Sequence, residues 1–153
     1  MSAEAVRLVE QIQDALTMGD VVAGLDDDEA NLRVEEVFAE LAEPGFEVMM
    51  IGPAYVGRAI EGSGLEGFRA AWLEWTSAFE SYRIDLERMI DAGDRVVSLV
   101  RMVGRTKTGG VEVEAPGAGV WTVVEGRLHR VEFHLDREAA LRSAGLDPQS
   151  SQS

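Results

Sequence analysis

The stretch SGLEGFRAAWLEWTSAFESYRIDLERMI, residues 63–90, changes its hydrophobic period halfway along, and that change decides the fold. In its first half Leu65, Phe68, Trp72, Trp75 and Phe79 recur at three- and four-residue steps, the stripe of an amphipathic helix with an aromatic buried side. Ser63 and Glu66 stand ahead of it in the S-x-x-E pattern of a capping box. After Ser81 the period becomes two, with Tyr82, Ile84 and Leu86 facing one way, as in a strand with one buried face.

Toward the C-terminus the alternation continues between turn signals. Asp91-Ala92-Gly93-Asp94 predicts a hairpin turn, Arg95–Thr106 a long strand and Thr108-Gly109-Gly110 a second turn. Val111–Val124 is a further strand, irregular at Pro116-Gly117, and Glu125-Gly126 leads into the last one, Arg127–Leu135. Asp136 is placed to cap a short helix, Arg137–Ala144, which Gly145 terminates. Toward the N-terminus, Val6, Leu8, Val9, Ile12 and Leu16 mark a helix over Ala3–Met18, stopped by Gly19-Asp20. The acidic run Asp26–Glu29 precedes a second helix carrying Val34, Val37, Phe38 and Leu41, which Pro44-Gly45 ends. Phe46–Ile51 reads as a strand, and Tyr55–Gly62 carries no decisive pattern. Helices gathered on one face of a bent, mainly antiparallel sheet, with a short C-terminal helix, make an α+β fold. No repeat or linker divides residues 1–146, and residues 147–153 are polar enough to form a flexible tail.

Composition narrows the function. Fourteen Lys and Arg stand against 28 Asp and Glu, a formal net charge of −14 that repels nucleic acid and anionic lipid alike. Without cysteine there is no disulfide, thiolate nucleophile or iron–sulfur site. The N-terminal residues lack the apolar core of a signal peptide, and Ala115–Val124 is too short and too rich in Pro and Gly to span a membrane, so a cytoplasmic protein is expected. Gly62-Ser63-Gly64-Leu65-Glu66-Gly67 matches G-x-G-x-x-G, but no parallel βαβ unit surrounds it, and no nucleotide or other cofactor is expected. The acidic run lacks the spacing of a calcium loop, and His129 and His134, five apart on one strand, point to opposite faces and share no metal.

Element order and scattered residues together resemble the SnoaL-like branch of the nuclear-transport-factor and ketosteroid-isomerase superfamily. Those residues are Val9-Glu10, Ala15-Leu16 and Gly19-Asp20, Gly64–Phe68, Asp91–Val97, Val120–Val123 with Gly126, and Asp136–Leu141 with Gly145-Leu146. The resemblance covers Glu4–Leu146 and implies a cone-shaped fold, its strongly curved sheet wrapped around the helices and an apolar cavity, commonly as a homodimer. Members include isomerases, cyclases, hydrolases and non-catalytic modules, so the site must be argued on its own residues.

Ketosteroid-isomerase-like catalysis uses a tyrosine and a protonated aspartic acid as hydrogen-bond donors and a carboxylate as base. The resemblance places these at Ile12, Ala118 and Met50, none of which can donate or take a proton. Catalytic candidates are then Glu47, the one acid near the base position, and Arg101, Glu132 and His134, which would resemble an epoxide-hydrolase arrangement if the strand parity shifts. The preferred register turns Val131, Phe133 and Leu135 toward the cavity and gives Trp121, Glu132 and His134 a shared outward face suited to a dimer interface. Arg101 and Arg105 share a face and can offset Glu112 or Glu114 across the hairpin. The expectation is a protein binding a small hydrophobic molecule in a pocket lined by Ile12, Met50, Trp72, Trp75, Ala118 and Phe133. Its alternatives are an isomerase, a polyketide-cyclase-like or epoxide-hydrolase-like enzyme, or a non-catalytic dimerisation module.

Overall fold

The computed structural model describes residues 2–16, 19–51 and 59–146. Its elements run α1 (Ser2–Leu16), α2 (Val21–Leu25), α3 (Asp28–Leu41), β1 (Ala42–Ile51), β2 (Ala59–Ser63), α4 (Gly64–Trp75), β3 (Phe79–Asp91), β4 (Arg95–Thr106), β5 (Glu112–Val124), β6 (Arg127–His134) and α5 (Arg137–Ser143). This is the expected α+β fold: N-terminal helices, a sheet of six strands and a short C-terminal helix. The strands lie in the order β2-β1-β6-β5-β4-β3. Neighbours are antiparallel except β1 and β6, which run parallel with Met49 opposite Glu132. The proposed tail at residues 147–153 lies outside the described residues.

Two apolar clusters sandwich the sheet. The larger joins α1, α3 and α4 to one face, with Val9, Ile12, Phe38, Phe68, Trp72, Val96, Trp121 and Val131 all buried. Phe68 links its rings: it lies 4.9 Å from Phe38 and 6.4 Å from Trp72, whose ring is 5.1 Å from Phe133. The smaller cluster covers the other face, where Val97, Ala118 and Val120 pack under Ala140, Leu141 and Ala144 at α5. Fully burying a side chain the size of Leu141 contributes about 1.5–3 kcal/mol, so α5 is held by packing as well as by its cap. That cap forms as expected, the Asp136 carboxylate accepting from the Glu138 and Ala139 N–H groups at 3.0 and 3.4 Å.

Local chemistry departs from expectation at four places. Gly19-Asp20 does more than stop a helix: the Asp20 carboxylate accepts from Ala23 N–H at 3.1 Å and so starts α2, a turn of helix the sequence pattern hides. Pro44-Gly45 lies inside β1, where a bulge between Ala42 and Glu47 absorbs it. Ser63 makes no side-chain cap bond; it closes β2, and Gly64 at φ +68° turns the chain directly into α4. Helix α4 ends at Trp75 because the Thr76 hydroxyl and N–H both donate to the Trp72 carbonyl, which leaves Phe79 to open β3. The Phe79 ring then occupies the space over Gly104, where a Cβ would approach it to 2.6 Å.

Candidate functional site

A cavity of about 320 Å³ opens between the helical layer and the sheet. Its floor comes from the inner face of the strands: Ile84 of β3, Ser98, Val100 and Met102 of β4, Gly119 of β5 and Phe133 of β6. Helix α4 supplies one wall through Phe68, Trp72 and Trp75, while the end of α1, helix α2 and the first half of α3 supply the mouth. Gly119 leaves the floor open, since a Cβ there would lie 2.8 Å from both the Ser98 hydroxyl and the Trp121 indole nitrogen. Those two groups meet below it, with Trp121 Nε1 donating to Ser98 Oγ at 2.9 Å. Trp75 Nε1 donates to the Tyr82 hydroxyl at 2.9 Å, the hydroxyl reaches Met102 Sδ, and burial pushes the Tyr82 pKa up.

Among the described residues, the Asp, Glu and Arg side chains that line the cavity come from the helical side that forms its mouth. Asp20 spends both carboxylate oxygens on backbone, one on Ala23 and the other on Tyr82 N–H at 3.0 Å, and so pins α2 to the edge of β3. Arg69 of α4 donates to the Leu25 carbonyl at 2.7 Å, and Asn31 Nδ2 donates to the same oxygen at 3.0 Å. Arg33, Glu35 and Glu66 complete the charged rim. An apolar chamber with a few convergent polar groups is the form small-molecule sites take.

Of the residues singled out from sequence, Trp72, Trp75 and Phe133 meet in this cavity, and His134, whose Nδ1 is buried without a hydrogen-bond partner among the described residues, borders it. Ile12 and Met50 do not: both are wholly buried in the packed core and do not reach it. Ala118 touches the wall at the middle of β5, but it packs in the cluster under α5, and the residue on the cavity side is Gly119, paired with Phe133. Glu47 is exposed, 3.5 Å from Arg130. Arg101 lies on the outer face between Glu87, at 3.3 Å, and Glu114, at 2.9 Å, while Arg137 also bonds Glu87 and holds its carboxyl below the usual range. Arg105 lies 3.9 Å from Glu112, as the hairpin pairing anticipates.

Alternation along β6 puts Glu132 and His134 on the face opposite Phe133, beneath α5. His134 Nε2 lies 2.9 Å from Glu132 Oε1, which also accepts from the Ser143 hydroxyl at 2.8 Å, and Arg130 holds the other oxygen at 3.0 Å. The hydrogen bond from His134 is the largest cause that lowers the Glu132 pKa to about 2, with Ser143 and Arg130 adding to it against the cost of burial. Trp121 does not share this face, as the outward reading had it. It is fully buried on the inner side, its ring 5.6 Å from Phe133. His129 lies beside Glu43 at 3.7 Å, apart from the His134 group.

Sequence reasoning missed Ser98, Gln13, Asn31, Arg33 and Arg69. The first two were visible as lone polar residues inside apolar patterns, in Val96-Val97-Ser98-Leu99-Val100 and beside Ile12. Both are buried, 1% and 4% exposed, and both line the cavity.

A helical layer and a mixed six-stranded sheet enclosing a chamber define a nuclear-transport-factor-like α+β protein. Within that class the chain belongs to the SnoaL-like domain family, whose model matches residues 9–131. A SnoaL-like protein from Jannaschia sp. CCS1 shares 20% identity over 92% of this chain and 93% of that one, with a TM-score of 0.61. An NTF2-like protein of unknown function from Burkholderia pseudomallei shares 18% over 93% and 97%, at 0.60. A protein with a ketosteroid-isomerase-like fold from Catenulispora acidiphila, solved with trimethylamine, shares 15% over 88% and 92%, at 0.56. These likenesses establish the fold. No curated protein matches the sequence.

Proposed function

We propose that the protein binds a small hydrophobic molecule in the cavity under α4. The observation that carries this reading is the chamber of about 320 Å³, with an aromatic wall and a floor kept open by Gly119. Packed interiors rarely leave a space of that size, and an apolar one is filled most favourably by an apolar guest. Turnover would need an acid or base facing the guest. Of the candidates assigned from sequence, Glu47 and Glu132 face solvent and α5, His134 borders the cavity from the strand face under α5 with its Nε2 engaged by Glu132, and both oxygens of Asp20 accept backbone hydrogens. Binding without conversion is therefore the better reading. We extend it to a homodimer, as the family resemblance implies.

The test is titration with N-phenyl-1-naphthylamine, a neutral fluorescent apolar probe, beside native mass spectrometry of the protein as purified. Saturable uptake near one probe per chain is expected, and Val100→Trp, which fills the floor, should abolish it while far-ultraviolet circular dichroism stays unchanged. Uptake that fails to saturate, or that survives Val100→Trp, would overturn the cavity reading. Native mass spectrometry reports any co-purified compound and the number of chains together.

A further inference from the structure

The mouth of the cavity carries an imbalance that hydrophobic binding does not use. Acids outnumber bases two to one in this chain, and most of its arginines find carboxylates: Arg83, Arg101, Arg105, Arg127, Arg130, Arg137 and Arg142 all form ion pairs. The two that line the cavity do not. Arg69 is exposed and has one hydrogen bond, to the backbone carbonyl of Leu25, which fixes the guanidinium at the rim with its other N–H groups open to solvent or a ligand. Arg33 is half-buried on α3 and has no hydrogen bond or ion pair among the described residues. A guanidinium partly withdrawn from water without an anion is an unfavourable arrangement that a ligand's negative charge would relieve.

The rim acids compete poorly for the same role. Asp20 has both oxygens occupied by backbone N–H groups. Glu66 is exposed in the first turn of α4, at the positive end of the helix dipole, and Glu35 is exposed on α3 and solvated. Burial thus ranks the rim charges, and the one least served by solvent or protein is positive.

We propose that the cavity takes an amphipathic carboxylate: a small apolar body among Trp72, Trp75 and Phe133, with its anionic head at the mouth against Arg33 and Arg69. The inference rests on the cavity-binding reading and names the chemical class of its ligand. The overall charge of −14 opposes approach of any anion, so the selectivity comes from short-range hydrogen bonding and not from long-range attraction.

Three probes sharing one naphthalene body separate the outcomes: 2-naphthylacetate, 2-(2-naphthyl)ethanol and 2-(2-naphthyl)ethylamine, each titrated into the full chain by calorimetry. The carboxylate should bind roughly tenfold more tightly than the alcohol, the scale of one charge-assisted hydrogen bond. Arg33→Gln should bring the carboxylate down to near the alcohol while changing the alcohol far less; since Arg33 has no bond within the described fold, this variant is not expected to disturb folding. Arg69→Gln should weaken the carboxylate likewise, with some loss for all probes because it also releases Leu25. Equal binding of carboxylate and alcohol, or preference for the ammonium, would overturn the ligand class while leaving the cavity reading intact. If none of the three binds, both readings fall.

Discussion

Glu132 accepts hydrogen bonds from His134, Ser143 and Arg130, and its carboxyl titrates near 2 in the folded protein against 4.5 for an unperturbed one. A folded-state pKa below the unfolded value adds stability that is fully present above about pH 4.5 and is lost as pH falls toward 2. After screening by solvent the contribution is about 1–2 kcal/mol. Urea unfolding of Glu132→Gln should therefore show that deficit at pH 7, and the gap from the natural sequence should close between pH 4.5 and 2; a gap that holds constant across that range would refute the assignment. Ser98 makes a parallel case on the other face. Ser98→Ala leaves the buried Trp121 N–H without its acceptor, an expected loss of about 1–3 kcal/mol in the unfolding free energy. The facing of Trp121 was not legible beforehand, and the reason is local. Both sides of β5 are covered, so Ala118, Gly119, Val120 and Trp121 are all buried and their pattern does not alternate. Along β6 the residue types themselves alternate, Val131 and Phe133 against Glu132 and His134, and that alternation did mark the inward side chains.

Among elements, β2 and α4 illustrate what a pattern match leaves out. Their glycines satisfy a dinucleotide motif, yet in the fold they permit a strand and a helix to touch: a Cβ on Gly62 would sit 2.9 Å from the Gly67 carbonyl oxygen, and one on Gly67 would sit 3.1 Å from Gly62. Backbone on backbone has no flexible side chain to yield. Gly62→Ala should therefore lower the unfolding free energy by about 1–3 kcal/mol, whereas Gly45→Ala, with open space around it, should cost far less when both are measured by denaturant titration. The meander was readable because each of its turns is spelled in local residues, and Gly93, Gly109, Gly110 and Gly126 all adopt the positive φ their turns require. Helix α2 was hidden because it buries no residue of its own and hangs on the bonds from Asp20 and to Leu25. The capping pattern at Ser63 failed because the residue was already committed to pairing with Glu47.

At the scale of the molecule, element order made the family legible while the cavity's chemistry was not. A chamber is made of residues from eight elements, and which of them point inward depends on bulges that displace registers without marking sequence, as between Leu86 and Arg88. The family resemblance consequently put Ile12 and Met50 in a pocket when both are core. Occupancy of the chamber carries a global signature. A guest that binds only the folded state raises stability by about 2.7 kcal/mol at a hundredfold excess over its dissociation constant, so naphthylacetate at that ratio should raise the melting temperature measurably, and Arg33→Gln should remove most of the rise at the same concentration.

The parallel alignment of β1 with β6 joins segments from opposite ends of the chain, whereas β3 through β6 pair with their immediate successors. Closing the short loops comes early and cheaply, and the distant pairing can form only after much of the chain is already ordered. Refolding would then be nucleated in the meander, with the first strand zipping on afterwards. Conservative weakening of β1, as by Val48→Ala, should speed unfolding and leave the refolding rate nearly unchanged, while the same truncation at Val97 should slow refolding.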